Sequence, residues 1–170
     1  MRGVGKSSVG RTLAARLGWS FVDTDERVEQ EAGRSIREIF ERDGEEVFRR
    51  LESTALEHAS RAKDSVISAG GGAVLSAENR RLMKSRAACV WLTASIDELS
   101  RRVSSDPSTA DRRPPLTAAG GAEELELLLA QRRALYEDVA YMTLDTTGVP
   151  VEQTVAELLR RLSPTHGVDL

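Results

Sequence analysis

Four short runs of strand-forming residues, set between longer stretches of helical periodicity, constrain this chain more than any other feature. The first holds Trp19, Phe21 and Val22, and the second is Ser65-Val66-Ile67-Ser68-Ala69. The third is Ala87-Ala88-Cys89-Val90-Trp91-Leu92, and the last covers 142–145. Strands that alternate with helices lie parallel, because each crossover helix carries the chain back to the same end of the sheet. The run at 87–92 is almost wholly apolar, as expected of a strand covered on both sides. Spacing predicts helices over 8–17, 26–32, 35–42, about 45–62, about 77–84, 95–103, about 122–138 and 151–162. The expected fold class is therefore α/β: three layers, with a parallel sheet covered by helices on both faces.

Local chemistry supports the breaks. Gly18 suits the position after a helix end, and Gly33 separates two helices. Ser35 followed three residues later by Glu38 reads as a capping box. The stretch 104–121, SSDPSTADRRPPLTAAGG, is rich in Ser, Pro and Gly and reads as a mobile lid. A chain of 170 residues with 40% apolar residues makes one domain, 1–170, with a core that needs no disulfide or structural metal.

Charge narrows the partners. With 24 basic and 27 acidic residues the net charge is −3, so the electrostatic footprint of a nucleic-acid binder is missing. No run reaches the length of a membrane span, and no apolar segment marks a secretory signal. A single cysteine, Cys89, cannot make an intrachain disulfide and reads as a small core residue. The expectation is a cytoplasmic monomer acting on a small molecule, with neither nucleic acid nor membrane as partner.

The first ten residues, MRGVGKSSVG, supply the chemistry. Gly3, Val4, Gly5, Lys6, Ser7 and Ser8 stand directly before the helix-periodic Val9, Leu13, Ala14 and Leu17. Backbone N–H groups can turn inward onto phosphate oxygens only where no Cβ obstructs them, and the helix behind adds partial positive charge. Lys6 would reach the β- and γ-phosphates of ATP, and the Ser7 hydroxyl would sit on Mg²⁺. In the pattern G-x-x-x-x-G-K-[ST] the first glycine falls one step before Met1. The expectation is that the working protein begins upstream, with that glycine and a buried strand ahead of it. Were these residues the entire product, poor folding and weak ATP binding would be expected.

Taken together, GVGKSSVGRTLA, FVDTD, GRSIREIF, GEEVFRRLE, SAGGGAVL, RRPPLT, RRALY and DTTGVP resemble shikimate kinase, a P-loop small-molecule kinase family related to nucleoside-monophosphate kinases. The resemblance spans nearly the whole chain. It implies transfer of the γ-phosphoryl of ATP to the 3-hydroxyl of shikimate, with Mg²⁺, on the route to chorismate and the aromatic amino acids. It also implies that the strand ahead of the phosphate loop, absent here, is the central one of the sheet.

By that resemblance Arg49 and Arg132 match the two arginines that take the substrate carboxylate, as guanidinium forks do through paired hydrogen bonds. Glu52, one turn after Arg49, would hold that fork. Asp25 matches the residue on the ring hydroxyls and the candidate base, and Asp23 lies near Mg²⁺. Positioning and charge supply most of the rate in phosphoryl transfer, so Asp25 is a positioner first. Gly70, Gly71 and Gly72 bound the shikimate pocket. Arg113 matches a lid arginine that closes over the phosphates, and Arg102 matches one that lies against adenine.

Plainer readings stay open. Asp23-Thr24-Asp25 would also cap the next helix, and three glycines also make an ordinary turn. His58 and His166 have no partner at metal spacing. Another kinase of the same architecture, for gluconate or a nucleotide, is the nearest alternative. A truncated, non-catalytic binding module is the alternative from a different class.

Overall fold

The computed structural model describes residues 3–105 and 121–162. Helix α1 (Lys6–Leu17) ends where Gly18 takes a left-handed conformation and its N–H bonds the Ala14 carbonyl. Strand β1 (Ser20–Asp23) follows. Helix α2 (Thr24–Ala32) is capped by Asp23, whose side chain accepts from the Asp25 N–H. The cap is thus the first acid of the Asp-Thr-Asp triplet, and the helix begins two residues earlier than its periodicity suggests.

Helix α3 (Ile36–Ala59) opens with the expected capping box, Ser35 and Glu38 each bonding the other's backbone. It bends at Gly44, at φ 82° and ψ 174°. Gly44 is not helical, so the two helices expected on either side of it are both present, meeting at a kink, and the second stops at Ala59 rather than at 62. Strand β2 (Ser65–Ser68), a 3-10 turn at Ala73–Leu75 and helix α4 (Ala77–Arg86) come next. Strand β3 is Val90–Thr93, one part of the long apolar run; Ala87 and Ala88 lie exposed ahead of it. Helix α5 (Ile96–Ser105), helix α6 (Gly121–Val139), strand β4 (Met142–Asp145) and helix α7 (Val151–Leu162) complete the described chain.

Strands β1 and β2 pair in parallel from Ser20 opposite Ser65 to Asp23 opposite Ser68. Strands β3 and β4 pair in parallel from Val90 opposite Met142 to Thr93 opposite Asp145. Each pair is parallel as expected, but the ladder is divided: among the described residues no strand pairing joins one pair to the other. Side chains hold the halves together instead. Val4, Leu13, Val74, Trp91, Leu92 and Leu144 belong to one buried apolar cluster, which Val66 of β2 also touches. Helix α7 adds Val155, Leu158 and Leu162 to it, each worth about 1.5–3 kcal/mol when fully buried. A smaller cluster of Val28, Ile36, Ile39, Phe48 and Ala55 fixes α2 against α3. Both registers leave the strand ends level. That brings the turns after β1 and β2 side by side, and likewise those after β3 and β4.

Candidate active site

Gly5 precedes α1 at φ 85° and ψ 19°, a left-handed conformation that costs a residue with a Cβ. No side chain caps α1, and its first turn holds no acid. A helix start without a side-chain cap or an acid in its first turn favours an anion at that end. From the same turn the Ser7 hydroxyl donates to Asp23 Oδ2 over 2.6 Å. The other oxygen of Asp23 accepts the Asp25 N–H at 3.0 Å. No cluster of three His, Cys, Asp or Glu side chains suited to a metal occurs among the described residues. One hydroxyl and one carboxylate fit Mg²⁺, which keeps several waters and takes the rest of its shell from phosphate oxygens.

The start of α2, directly after β1, is tied to the turn after β2 by a side chain that the sequence offered as part of a helix cap. Thr24 is fully buried; its hydroxyl accepts the Gly70 N–H at 2.9 Å and donates to the Ser68 carbonyl at 3.4 Å. Asp25, the next residue, is thus carried on the first turn of α2, which is fixed to the glycines.

Two arginines approach those glycines from different helices. Arg132, on α6, donates from Nη1 to the Gly71 carbonyl at 3.3 Å. The Tyr136 hydroxyl, one turn further on, donates to the same oxygen at 2.7 Å. Tyr136 is itself stacked on Trp91 with ring centroids 5.4 Å apart. Arg49, on α3, lies against Gly72 so closely that a Cβ built there would stand 1.9 Å from its Nη1. Arg49 Nη1 pairs with Glu52 Oε2 at 2.8 Å, as expected, and its Nη2 pairs with Glu45 at 2.8 Å. Burial works against the Arg49 charge, but the two carboxylates outweigh it and raise the pKa above the ordinary arginine value. A cavity of about 270 Å³ beside Arg49 is bounded by Glu45, Glu52, Gly72 and Asn79; Asp25 and Arg132 do not line it.

On the other pair of strands, Arg102 is committed to backbone. Its Nη2 donates to the Thr146 carbonyl at 2.8 Å, and its Nη1 reaches the Thr146 hydroxyl at 3.2 Å and the Gly3 carbonyl at 3.4 Å. Its Nε pairs with Glu98 at 2.7 Å. The buried Thr146 hydroxyl also donates to the Thr93 carbonyl at 2.9 Å, which knits the turn after β4 to the end of β3. These residues surround a cavity of about 420 Å³ with Val4, Gly5, Ser8, Arg102, Gly148 and Pro150 on its walls. That volume is in the range of small-molecule sites.

Arg113 and the lid core at 106–120 lie outside the described residues, as does His166. His58 stands 3.5 Å from Glu31 on the outer surface. Cys89 is partly buried, and burial pushes its thiol pKa up, which suits a packing role. Thr24, Tyr136, Thr146 and Glu98 were not singled out as functional from sequence. The partners of Thr24 and Thr146 are distant in the chain, so no local pattern marks them.

The arrangement has close parallels among known proteins. The family model described as shikimate kinase matches residues 2–163. A shikimate kinase of Bordetella avium is 40% identical over 162 residues, covering 95% of this chain and 76% of that protein. Shikimate kinase 2 of Yersinia pseudotuberculosis is 43% identical over 162 residues, covering 95% and 91%. Among solved structures, shikimate kinase from Acinetobacter baumannii in complex with shikimate matches with a TM-score of 0.89 at 33% identity, covering 98% of this chain and 90% of that one. Shikimate kinase from Aquifex aeolicus matches with a TM-score of 0.80 at 33% identity, covering 98% and 94%. A phosphate loop, an Asp-Thr-Asp turn and a glycine turn flanked by two arginines thus accompany full-length similarity in sequence and in fold, and the chain belongs to the shikimate kinase family.

Proposed function

We propose that the turns before α1 and after β1 and β2 form the reaction site, with the residues of each turn in distinct roles. The reaction is ATP-dependent phosphorylation of shikimate, giving shikimate 3-phosphate and ADP on the route to chorismate and the aromatic amino acids. Gly3, Val4, Gly5, Lys6, Ser7 and Ser8 take the phosphates, and Arg102 frames the nucleotide side. Ser7 and Asp23 hold Mg²⁺, which when bound neutralises charge on the transferring phosphoryl group. Arg49 and Arg132 hold the substrate carboxylate, while Gly70, Gly71 and Gly72 bound its ring. Asp25 orients the 3-hydroxyl and receives its proton as the oxygen bonds the γ-phosphorus and the bond to the β-phosphate oxygen breaks. Lys6 and Arg113 stabilise the charge that develops; an arginine in the latter role is worth about 10³–10⁵ in rate.

One observation carries this reading. Ser7 bonds Asp23 at 2.6 Å and Thr24 bonds Gly70 at 2.9 Å, so the phosphate loop, the acidic turn and the glycine turn are held as one unit. A coupled ADP-release assay with shikimate, gluconate and nucleoside monophosphates tests it, with turnover expected for shikimate. Turnover confined to a monophosphate would refute it. Arg49→Ala is expected to weaken shikimate binding by about 1.5–3 kcal/mol while sparing ATP.

The same reading makes 1–170 a single domain with its lid at about 104–121, working as a cytoplasmic monomer without nucleic acid or membrane. The single cysteine and the net charge of −3 support it. Among the described residues no helix is long and apolar enough to cross a membrane.

A further inference from the structure

We infer that Glu45 is a built-in rival for the substrate's carboxylate, occupying one edge of the Arg49 guanidinium and so setting how tightly shikimate is held. The inference rests on the reading of Arg49 as an arginine that takes the substrate's acid group. A guanidinium offers five N–H donors in a plane. Glu45 Oε1 accepts from Nε at 3.1 Å and from Nη2 at 2.8 Å, while Glu52 Oε2 accepts from Nη1 at 2.8 Å. Nε and Nη2 form the side edge of the fork, the one a carboxylate grips with two parallel bonds. That edge already carries a carboxylate.

The two acids differ in what it takes to move them. The Glu52 side chain is 1% exposed, so withdrawing it from Arg49 would strand a charge away from water. The Glu45 side chain is 56% exposed and can turn into solvent at little cost. It sits four residues before Arg49, just past the bend at Gly44, on the wall of the cavity that Arg49 also lines. With both acids in place the group carries one positive and two negative charges, and an arriving anion is repelled until Glu45 swings away. Glu52 is the permanent partner of Arg49, and Glu45 the exchangeable one.

Glu45→Gln keeps the shape and removes the rival charge. Its Kd and KM for shikimate are expected to fall about two- to fivefold, the range of a partly exposed ion pair, with the KM for ATP unmoved. The gain should shrink as salt rises, because screening weakens the rival pair. It should also be absent for the uncharged methyl ester of shikimate, and Glu45→Asp should restore most of the wild-type constants. Loss of a merely structural contact would not tighten binding. An unchanged or raised KM for shikimate in Glu45→Gln would overturn the inference and leave Glu45 as a brace for Arg49. A wild-type chain that neither binds nor phosphorylates shikimate would overturn the functional reading and this inference together, whereas normal turnover with unaltered Glu45→Gln constants sinks this inference alone.

Discussion

The Tyr136 hydroxyl and the Arg132 guanidinium share one acceptor, the Gly71 carbonyl, at 2.7 Å and 3.3 Å. A phenol buried against Trp91 therefore fixes the glycine turn in the position from which Arg132 reaches it. Tyr136→Phe keeps the ring stack and removes the stronger bond. It is expected to cost about 0.5–1.5 kcal/mol in urea unfolding. The KM for shikimate should rise a few-fold, while that for ATP stays within error.

Gly72 stands at φ −94° and ψ −10°, a backbone conformation open to any residue. A side chain there would meet the far end of Arg49, whose Nη1 must shift to admit a Cβ. Gly72→Ala should push the guanidinium aside and weaken shikimate binding about tenfold or more, with a smaller effect on fold stability, because the group that must move is the end of a flexible side chain. Isothermal titration with each ligand separately checks this; equal loss for ATP and shikimate would count against it.

Glu52 is buried, and Arg49 is its partner at 2.8 Å. Removing one member of a buried pair costs about 3–5 kcal/mol, and the partial exposure of Arg49 brings the expectation for Glu52→Gln to about 2–3 kcal/mol. For a chain of this size that is a fall in Tm of roughly 5–10 °C by calorimetry. Shikimate affinity should fall with it, because the fork loses the partner that aims it.

On α7, hydrogen bonds from Arg160 and then Arg161 hold the Glu157 carboxyl well below the ordinary 4.5, down to about 2. The folded chain then binds fewer protons than the unfolded one between those values, so stability rises with pH across that window. The contribution is complete above about pH 5 and is lost as pH falls towards the folded value. Urea midpoints of wild type and Glu157→Gln should differ most near pH 6 and converge only as pH falls through about 2. A gap that widened in acid would contradict the assignment.

Much of this was legible in the sequence because it is local. The Ser35–Glu38 box, the turn at Gly18 and the break between the helices over 35–42 and about 45–62 follow from residue type at short range, as does the Arg49–Glu52 pair one helical turn apart. The spacing of Glu45 to Arg49 was equally readable, but in a chain with 30% charged residues such pairs usually decorate a solvated face. Thr24 was not readable. A threonine between two acids carries no signal of a backbone partner at Gly70, 46 positions on. Arg102 matched a family position, yet its bonds to Gly3 and Thr146, 99 and 44 positions away, belong to tertiary structure alone. The division of the ladder between β2 and β3 is of the same kind, because strand propensity does not say which edges meet.

The cavity framed by Arg102 draws its wall from both extremes of the described chain: the Thr146 hydroxyl lies 3.5 Å from the carbonyl of Val4, 142 positions earlier. No shorter folding unit contains that pocket, so a ligand held there is captured only after the segments at 3–5 and 146–150 have docked. Ligand at saturating concentration then protects only the finished molecule against heat or protease. Affinity for a ligand of that pocket is thus a gauge of whether chain assembly has run to its end.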